Sequence, residues 1–195
     1  FLLYYHHQNL SACSTVTRST MRVPATILLF LLVAACAAPA QVAEADVKYR
    51  LGQSYERAGD FESAARLYEE VFRKDTANMI LFDALRRSYL QLKRYDDCVA
   101  LMERILRRIP NDVSILAQLG SVYILKSDEK SADAVWERAV AVDPKSEVTY
   151  RTVAGAVVAS RLFDRAIGYY RRGRAAVGDP DLFAFDIAYL QAITL

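Results

Sequence analysis

The side chains of this 195-residue chain that could carry chemistry are two histidines, three cysteines and a few adjacent carboxylates. Histidine is the commonest general base and a frequent zinc ligand. His6 and His7 sit together near the start, so nothing after them supplies an imidazole for a Ser-His-Asp or Cys-His arrangement. Cys13, Cys36 and Cys98 are too dispersed to form a metal cluster. Glu69-Glu70 and Asp96-Asp97 could act as paired carboxylates, but on amphipathic helices such pairs belong to solvated faces. Gly168, Gly173 and Gly178 are regularly spaced, yet no Gly-Lys-Ser/Thr and no strand accompanies them. Neither a phosphate loop nor a dinucleotide fingerprint is therefore expected. The expectation is no catalytic residue, no metal and no cofactor: the chain reads as a non-enzyme.

Charge narrows the class further. There are 25 Lys/Arg against 23 Asp/Glu. Setting aside Arg18 and Arg22, the two cations upstream of Cys36, leaves 23 against 23. Nucleic-acid binding needs a basic excess on the folded part, so no nucleic-acid partner is expected. With 53% hydrophobic residues, seven glycines and five prolines, the composition is that of a globular protein.

The elements that could position a site begin only after a leader. Met21-Arg22 opens a short basic region, followed by the apolar run from Val23 to Ala35. That run is shorter than the about 20 residues that span a bilayer and fits the apolar core of a secretory signal. Residues 21–40 are accordingly read as a signal peptide, and residues 1–20, which lack Met, as upstream sequence, with a disordered extension as the other reading. Two processing routes compete. Val33-Ala34-Ala35-Cys36 has the form of a bacterial lipobox, making Cys36 a lipidation site. Ala38-Pro39-Ala40 suits an ordinary signal peptidase, which would release a protein starting at Gln41. Either route predicts an exported protein, periplasmic or anchored to the outer membrane by lipid; otherwise Cys36 is only a small residue closing an apolar run. Cys98, alone in the mature part, falls at a helix-packing position and is expected to be buried and inert.

From there the chain repeats. Leu51-Gly52 and Tyr55 recur 34 residues on as Leu85-Arg86 and Tyr89, then as Leu119-Gly120 and Tyr123, and more weakly as Val153-Ala154 and Val157. Ile187-Ala188 marks a further step. The same period relates the small residues Ala64, Cys98, Ala132 and Ala166, and the large ones Tyr68, Met102, Trp136 and Tyr170. Thr76, Pro110, Pro144 and Gly178 close the units. Helical spacing of Leu81, Leu85, Tyr89 and Leu92, and of Val99, Met102, Ile105 and Leu106, makes each unit a pair of amphipathic helices. The small residue lets two helices approach, and the large residue one turn later is expected to fill the space between adjacent hairpins. Gly59-Asp60, Lys93-Arg94, Ser127-Asp128 and Arg161-Leu162 fall between the helices of each pair, with Asp60 and Ser127 as N-caps. Asp179-Pro180 is expected to open a fifth helix.

These landmarks resemble the tetratricopeptide repeat family, and specifically its bacterial exported or lipoprotein members. The resemblance covers Ala45 to Leu195 and implies an all-α fold, a right-handed α-solenoid of tandem tetratricopeptide helix-turn-helix hairpins. The hairpins would occupy 45–78, 79–112, 113–146 and 147–180, with a truncated fifth at 181–195. Helix pairs are predicted at 45–58/61–74, 79–92/95–108, 113–125/128–142 and 147–160/163–176, with the next helix from Asp181. Val157, Gly173 and Gly178 depart from the family pattern and predict a looser fourth hairpin. The end of the chain is read as falling inside the fifth hairpin, its apolar last helix left open by truncation or covered by something else.

In such proteins the first helix of every hairpin lines a concave groove that takes a protein or peptide. The resemblance places Asp46, Tyr49, Gln53 and Glu56 there, followed by Ile80, Asp83, Arg87 and Leu90. Ser114, Ala117, Ser121 and Ile124 come next, then Val148, Arg151, Gly155 and Val158, and finally Phe185 and Tyr189. A subset of the family grips the C-terminal carboxylate of chaperones with a Lys/Asn/Arg clamp. Tyr49, Gln53, Ala84, Ser114 and Gln118 occupy the corresponding places, so that clamp is not expected. Arg161, Arg165, Arg171, Arg172 and Arg174 are read as an outer charged surface, with lipid phosphate or an acidic partner as the other reading. The function implied is a non-catalytic scaffold of the bacterial cell envelope; the rival is the docking arm of a longer enzyme or sensor.

Overall fold

The structure, a computed structural model, describes residues 44–194. The leader, with His6, His7, Cys13, Cys36 and Ala38-Pro39-Ala40, lies outside the described residues. Ala45–Leu195 forms one compact unit. Helix α1 is helical from residue 44 to 57. It is followed by α2 (Phe61–Lys74), α3 (Met79–Gln91), α4 (Tyr95–Leu106), α5 (Val113–Leu125), α6 (Glu129–Val142), α7 (Glu147–Ala159), α8 (Phe163–Val177) and α9 (Ala184–Thr194). Successive antiparallel pairs stack into an all-α solenoid of helical hairpins, and the period of 34 seen in the sequence is the period of the stack.

Helix starts follow from capping. Asn78, Asp112 and Ser146, one repeat apart, accept backbone N–H bonds at the starts of α3, α5 and α7. Asp60 and Asp128 do the same for α2 and α6. Ser127 is therefore not a cap; it holds the left-handed position one residue earlier, with φ 61°. Gly59, Lys93 and Arg161 take the same conformation at the same repeat position. In each turn the following amide bonds back five residues, as in Asp60 N–H to Tyr55 O (2.9 Å) and Arg94 N–H to Tyr89 O (2.9 Å). Only a left-handed residue lets the chain reverse that tightly.

The core runs through every hairpin. Ala64, Cys98, Ala132 and Ala166 are fully buried, as are Tyr68, Met102 and Trp136. Of the large residues expected between hairpins, Tyr170 does meet the next one, its ring centroid 4.8 Å from that of Phe183, but two others seat on their own hairpin. Tyr68 and Trp136 pack on the first helix of their own hairpin, over Gly52 and Gly120. A Cβ at Gly120 would lie 2.2 Å from Trp136 Nε1, and one at Gly52 would lie 2.5 Å from Tyr68 Cε1. In the first and third hairpins the glycine and the aromatic that sits over it thus form a steric lock within the hairpin.

The fourth hairpin is not loose. Val157 is fully buried, Gly178 (φ 81°) closes α8 as a left-handed C-cap, and Gly173 is required where it stands. A Cβ there would sit 2.7 Å from Tyr150 Cβ and 3.0 Å from Phe183. The fifth first-helix starts at Ala184 instead of Asp181. Asp179 caps a turn through the Asp181 amide (2.9 Å), and Phe183 turns left-handed (φ 59°) to pack its ring, tilted by 46°, on Tyr170 at 4.8 Å between ring centroids.

The first-helix face as a candidate protein-binding site

Two layers result, first helices on one side and second helices on the other. On the second-helix side, neighbouring hairpins are joined by charge. Arg165 meets Asp133 (3.0 Å) and Glu129 (3.0 Å), and Arg172 forks onto both oxygens of Glu137 at 2.5 and 2.8 Å. Tyr169 donates its hydroxyl to Glu137 as well. The Arg172 hydrogen bond, outweighing partial burial, holds Glu137 below the usual glutamate value.

The adjacent carboxylates are all engaged, Glu69 and Asp96 across to the next hairpin, Glu70 and Asp97 within their own. Glu69 accepts the Tyr89 hydroxyl (2.8 Å), and Glu103, one repeat on, accepts that of Tyr123 (3.2 Å). Glu70 pairs with Lys48, Asp96 with Lys126, and Asp97 with Arg94. Burial first, and then the Glu69 bond, pushes the Tyr89 hydroxyl well above its ordinary value. Of the five arginines read as an outer patch, Arg165 and Arg172 are engaged as above, and Arg174 donates to the Leu182 carbonyl (2.9 Å). Arg161 and Arg171 are exposed.

On the first-helix side the repeat register places the groove residues together, with local differences. Glu56 accepts the Tyr68 hydroxyl (3.0 Å) and Arg87 Nε (3.0 Å), linking α1 to α3. Burial, with the Glu56 bond behind it, pushes the Tyr68 hydroxyl up, while the Glu56 bond raises Arg87. Gln53, Glu56 and Arg57 line a shallow open depression. Tyr49 is half-buried against Tyr68, their rings 5.8 Å apart. Asp83 is half-buried beside Arg86 (3.4 Å), and Arg87 is exposed.

The third hairpin departs from the expected groove. Ala117 is buried, and the Ser121 hydroxyl donates to the Ala156 carbonyl at 3.1 Å, because α5 packs directly on α7 through small residues. Ser160 in turn donates to Ser121 Oγ (3.1 Å). Ile124 and Val158 are half-buried. Past this closed step the face opens again. Gly155 is exposed with open space above its Cα, Val148 is exposed, and Arg151 reaches Glu147 (2.6 Å) and Asp186 (3.9 Å). The Arg151 guanidinium also lies 4.9 Å over the Phe183 ring. Phe185 and Tyr189 project from α9 with stacked rings 6.3 Å apart.

Phe183 and Asp186, which anchor Arg151, had no signature in the repeat pattern. Neither had Gln118, whose Oε1 is buried without a hydrogen-bond partner while its amide donates to Ser114 Oγ. Cys98 is fully buried, and burial pushes its thiol up to about 11. Among the described residues no group of three or more His, Cys, Asp or Glu could hold a metal ion, and no helix is long and apolar enough to cross a membrane.

Residues 55–123 match the family model of the tetratricopeptide repeat. The chain is 28% identical over 103 residues to the Hsp70-Hsp90 organizing protein of Triticum aestivum, a match covering 53% of this chain and 18% of that protein. A structure of a MamA RS-1 double mutant superposes with TM-score 0.50 at 19% identity, covering 77% of this chain and 85% of that one. MamA from Desulfovibrio magneticus RS-1, from residue 41 to its end, gives TM-score 0.49 at 19% identity, with the same coverage of 77% and 85%.

Proposed function

We infer that this tetratricopeptide-repeat chain is a non-catalytic scaffold that holds a partner protein or peptide against the face formed by its first helices. The carrying observation is the exposed apolar side chains of the first-helix side. Both sides carry ion pairs between hairpins, Arg165 and Arg172 with their acids on one and Glu56 with Arg87 on the other. The first-helix side leaves Ile80, Val148, Phe185 and Tyr189 exposed among Arg87 and Arg151. Exposed apolar residues set among hydrogen-bonding groups are what a protein interface needs.

The wheat relative is named for organising Hsp70 and Hsp90, which supports a protein as ligand. Tyr49, Gln53, Ala84, Ser114 and Gln118, in place of a carboxylate clamp, argue against a chaperone C-terminus as that ligand here. Action in the bacterial cell envelope, by a soluble or Cys36-lipidated form, is part of the same reading and rests on the leader sequence alone.

Selection from a displayed random-peptide library tests the groove. Selected peptides should lose about tenfold or more in affinity on Arg87→Glu, Val148→Asp or Arg151→Glu, and nothing on Arg171→Glu of the opposite side. Binding that survives all three first-helix substitutions would remove the groove from the account.

A further inference from the structure

The loops that join one hairpin to the next, 75–78 and 107–112, share one rim of the stack with the ends of the second helices. Five exposed arginines gather there: Arg73, Arg104, Arg107, Arg108 and Arg138. Arg107 is the position of Arg73 moved on by one repeat, and Arg138 is that of Arg104 moved on in the same way. Three of them reach back to the preceding hairpin. Arg108 donates to the Thr76 carbonyl and Arg138 to the Pro110 carbonyl, each at 2.8 Å, and Arg104 lies 5.6 Å over the Phe72 ring.

Elsewhere in the stack arginines find carboxylates, as Arg94, Arg165 and Arg172 do. Among the described residues none of these five has one. The acids beside them in sequence are engaged otherwise: Asp75 accepts the Ala77 amide, Asp112 the Ile115 amide and Glu103 the Tyr123 hydroxyl. A helix C-terminus carries only about half a negative charge, so the dipoles of α2 and α4 leave most of the arginine charge uncompensated. The part of the chain after Cys36, with 23 Lys/Arg against 23 Asp/Glu, is therefore neutral as a whole and positive on this rim.

Aliphatic side chains stand within the patch. Ile109 (41% exposed) directly follows Arg107 and Arg108, and Met79 (41%) closes the neighbouring loop. Cations with aliphatic groups protruding among them match a lipid interface, where phosphates meet the charges and the aliphatic groups enter below the headgroups. A nucleic acid would need rings for its bases to stack on, which these side chains do not offer. We propose that this rim docks on an anionic phospholipid surface. The docking leaves the first-helix face free for a partner protein and depends neither on that groove nor on export.

Vesicle co-sedimentation of the compact unit, expressed as residues 41–195, tests this. It should bind phosphatidylcholine vesicles carrying about 30% phosphatidylglycerol, release them as salt is raised, and ignore pure phosphatidylcholine. Each arginine near such a surface adds roughly fivefold in affinity, so Arg107→Glu with Arg108→Glu should weaken binding at least about tenfold. Arg73→Ala with Arg107→Ala, which leaves the Thr76 bond in place, should repeat the loss. Lys93→Glu with Arg161→Glu, on the opposite rim, makes the same change in net charge and should stay within about twofold. Ile109→Ser should weaken vesicle binding about threefold or more. Unchanged helical circular dichroism shows that every variant folds. No binding to the anionic vesicles overturns the proposal, as do equal losses from the two rims or an Ile109→Ser protein that binds like the wild type. So does binding to soluble polyglutamate or a short DNA duplex as tight as to vesicles, the mark of an acidic protein or a nucleic acid as occupant.

Discussion

Trp136 donates its indole N–H to the carbonyl oxygen of Ala117 at 2.9 Å, with its ring directly over Gly120. One side chain thereby fixes the distance between α5 and α6. Gly120→Ala should destabilise the protein by about 1–3 kcal/mol, because the ring has no room to retreat. Gly155→Ala, on an open helix face, should instead stabilise by about 0.5–1 kcal/mol, since alanine restricts the unfolded chain and nothing lies within 4 Å of the new methyl. Urea unfolding of the pair checks both signs, and equal effects would mean that the lock is not steric.

The left-handed turns give a second pair of opposite signs. Lys93, Ser127 and Arg161 hold φ between 57° and 61°, where a side chain is strained, whereas Gly59 is at ease there. Lys93→Gly and Arg161→Gly should each raise stability by up to about 1 kcal/mol, the relief of strain exceeding the added freedom of the unfolded chain. Gly59→Ala should lower it. Thermal unfolding of the three variants decides, and a loss on both glycine substitutions would contradict the turn geometry.

Glu137 ties stability to acid. Its folded value is depressed by Arg172, so its contribution is present above the unfolded value, near 4.5, and is lost as pH falls through the depressed one. Arg172→Met should therefore be less stable than wild type at neutral pH, with the difference shrinking as pH drops below 4.5. Denaturation at a series of pH values reads this directly. A difference that stays constant into acid would mean that Arg172 acts by packing on Tyr169, where it lies 5.2 Å above the ring.

Export is tested by expressing the protein from Met21 in a Gram-negative host. Intact mass should show either an acylated N-terminal Cys36 or a plain N-terminus at Gln41, in an envelope fraction. Uncleaved protein recovered from the cytosol would end the envelope reading.

The fold was legible because each hairpin repeats its apolar spacing without a gap, so periodicity alone located α2 through α8 closely. What the pattern could not say was which neighbour a residue meets. The pattern points Trp136 to the gap between hairpins, whereas its ring lies over Gly120 of its own, because spacing along one helix does not encode the facing helix. Gly173 looked like a weakened alanine until Tyr150 and Phe183 filled the space its missing Cβ leaves. Serine suits the cap at Ser127, but Asp128 beside it suits it too, and the left-handed backbone of Ser127 decides for the aspartate. Of the candidate groove residues, Arg87, Arg151, Phe185 and Tyr189 are exposed. Ala117 is buried: its place in the repeat makes it a groove candidate, but small residues there let α7 close over it.

All the main helix–helix contacts join helices of one hairpin or of adjacent hairpins. Among the described residues no main contact joins hairpins further apart in the stack to resist tension. Pulled from its two ends, the molecule should yield in steps, each releasing one 34-residue hairpin and lengthening the chain by roughly 110 Å. The apolar core shared by neighbouring hairpins, with the carboxylate ties at Glu69, Glu103 and Glu137 beside it, would set the resistance of each step, so that load is released one hairpin at a time.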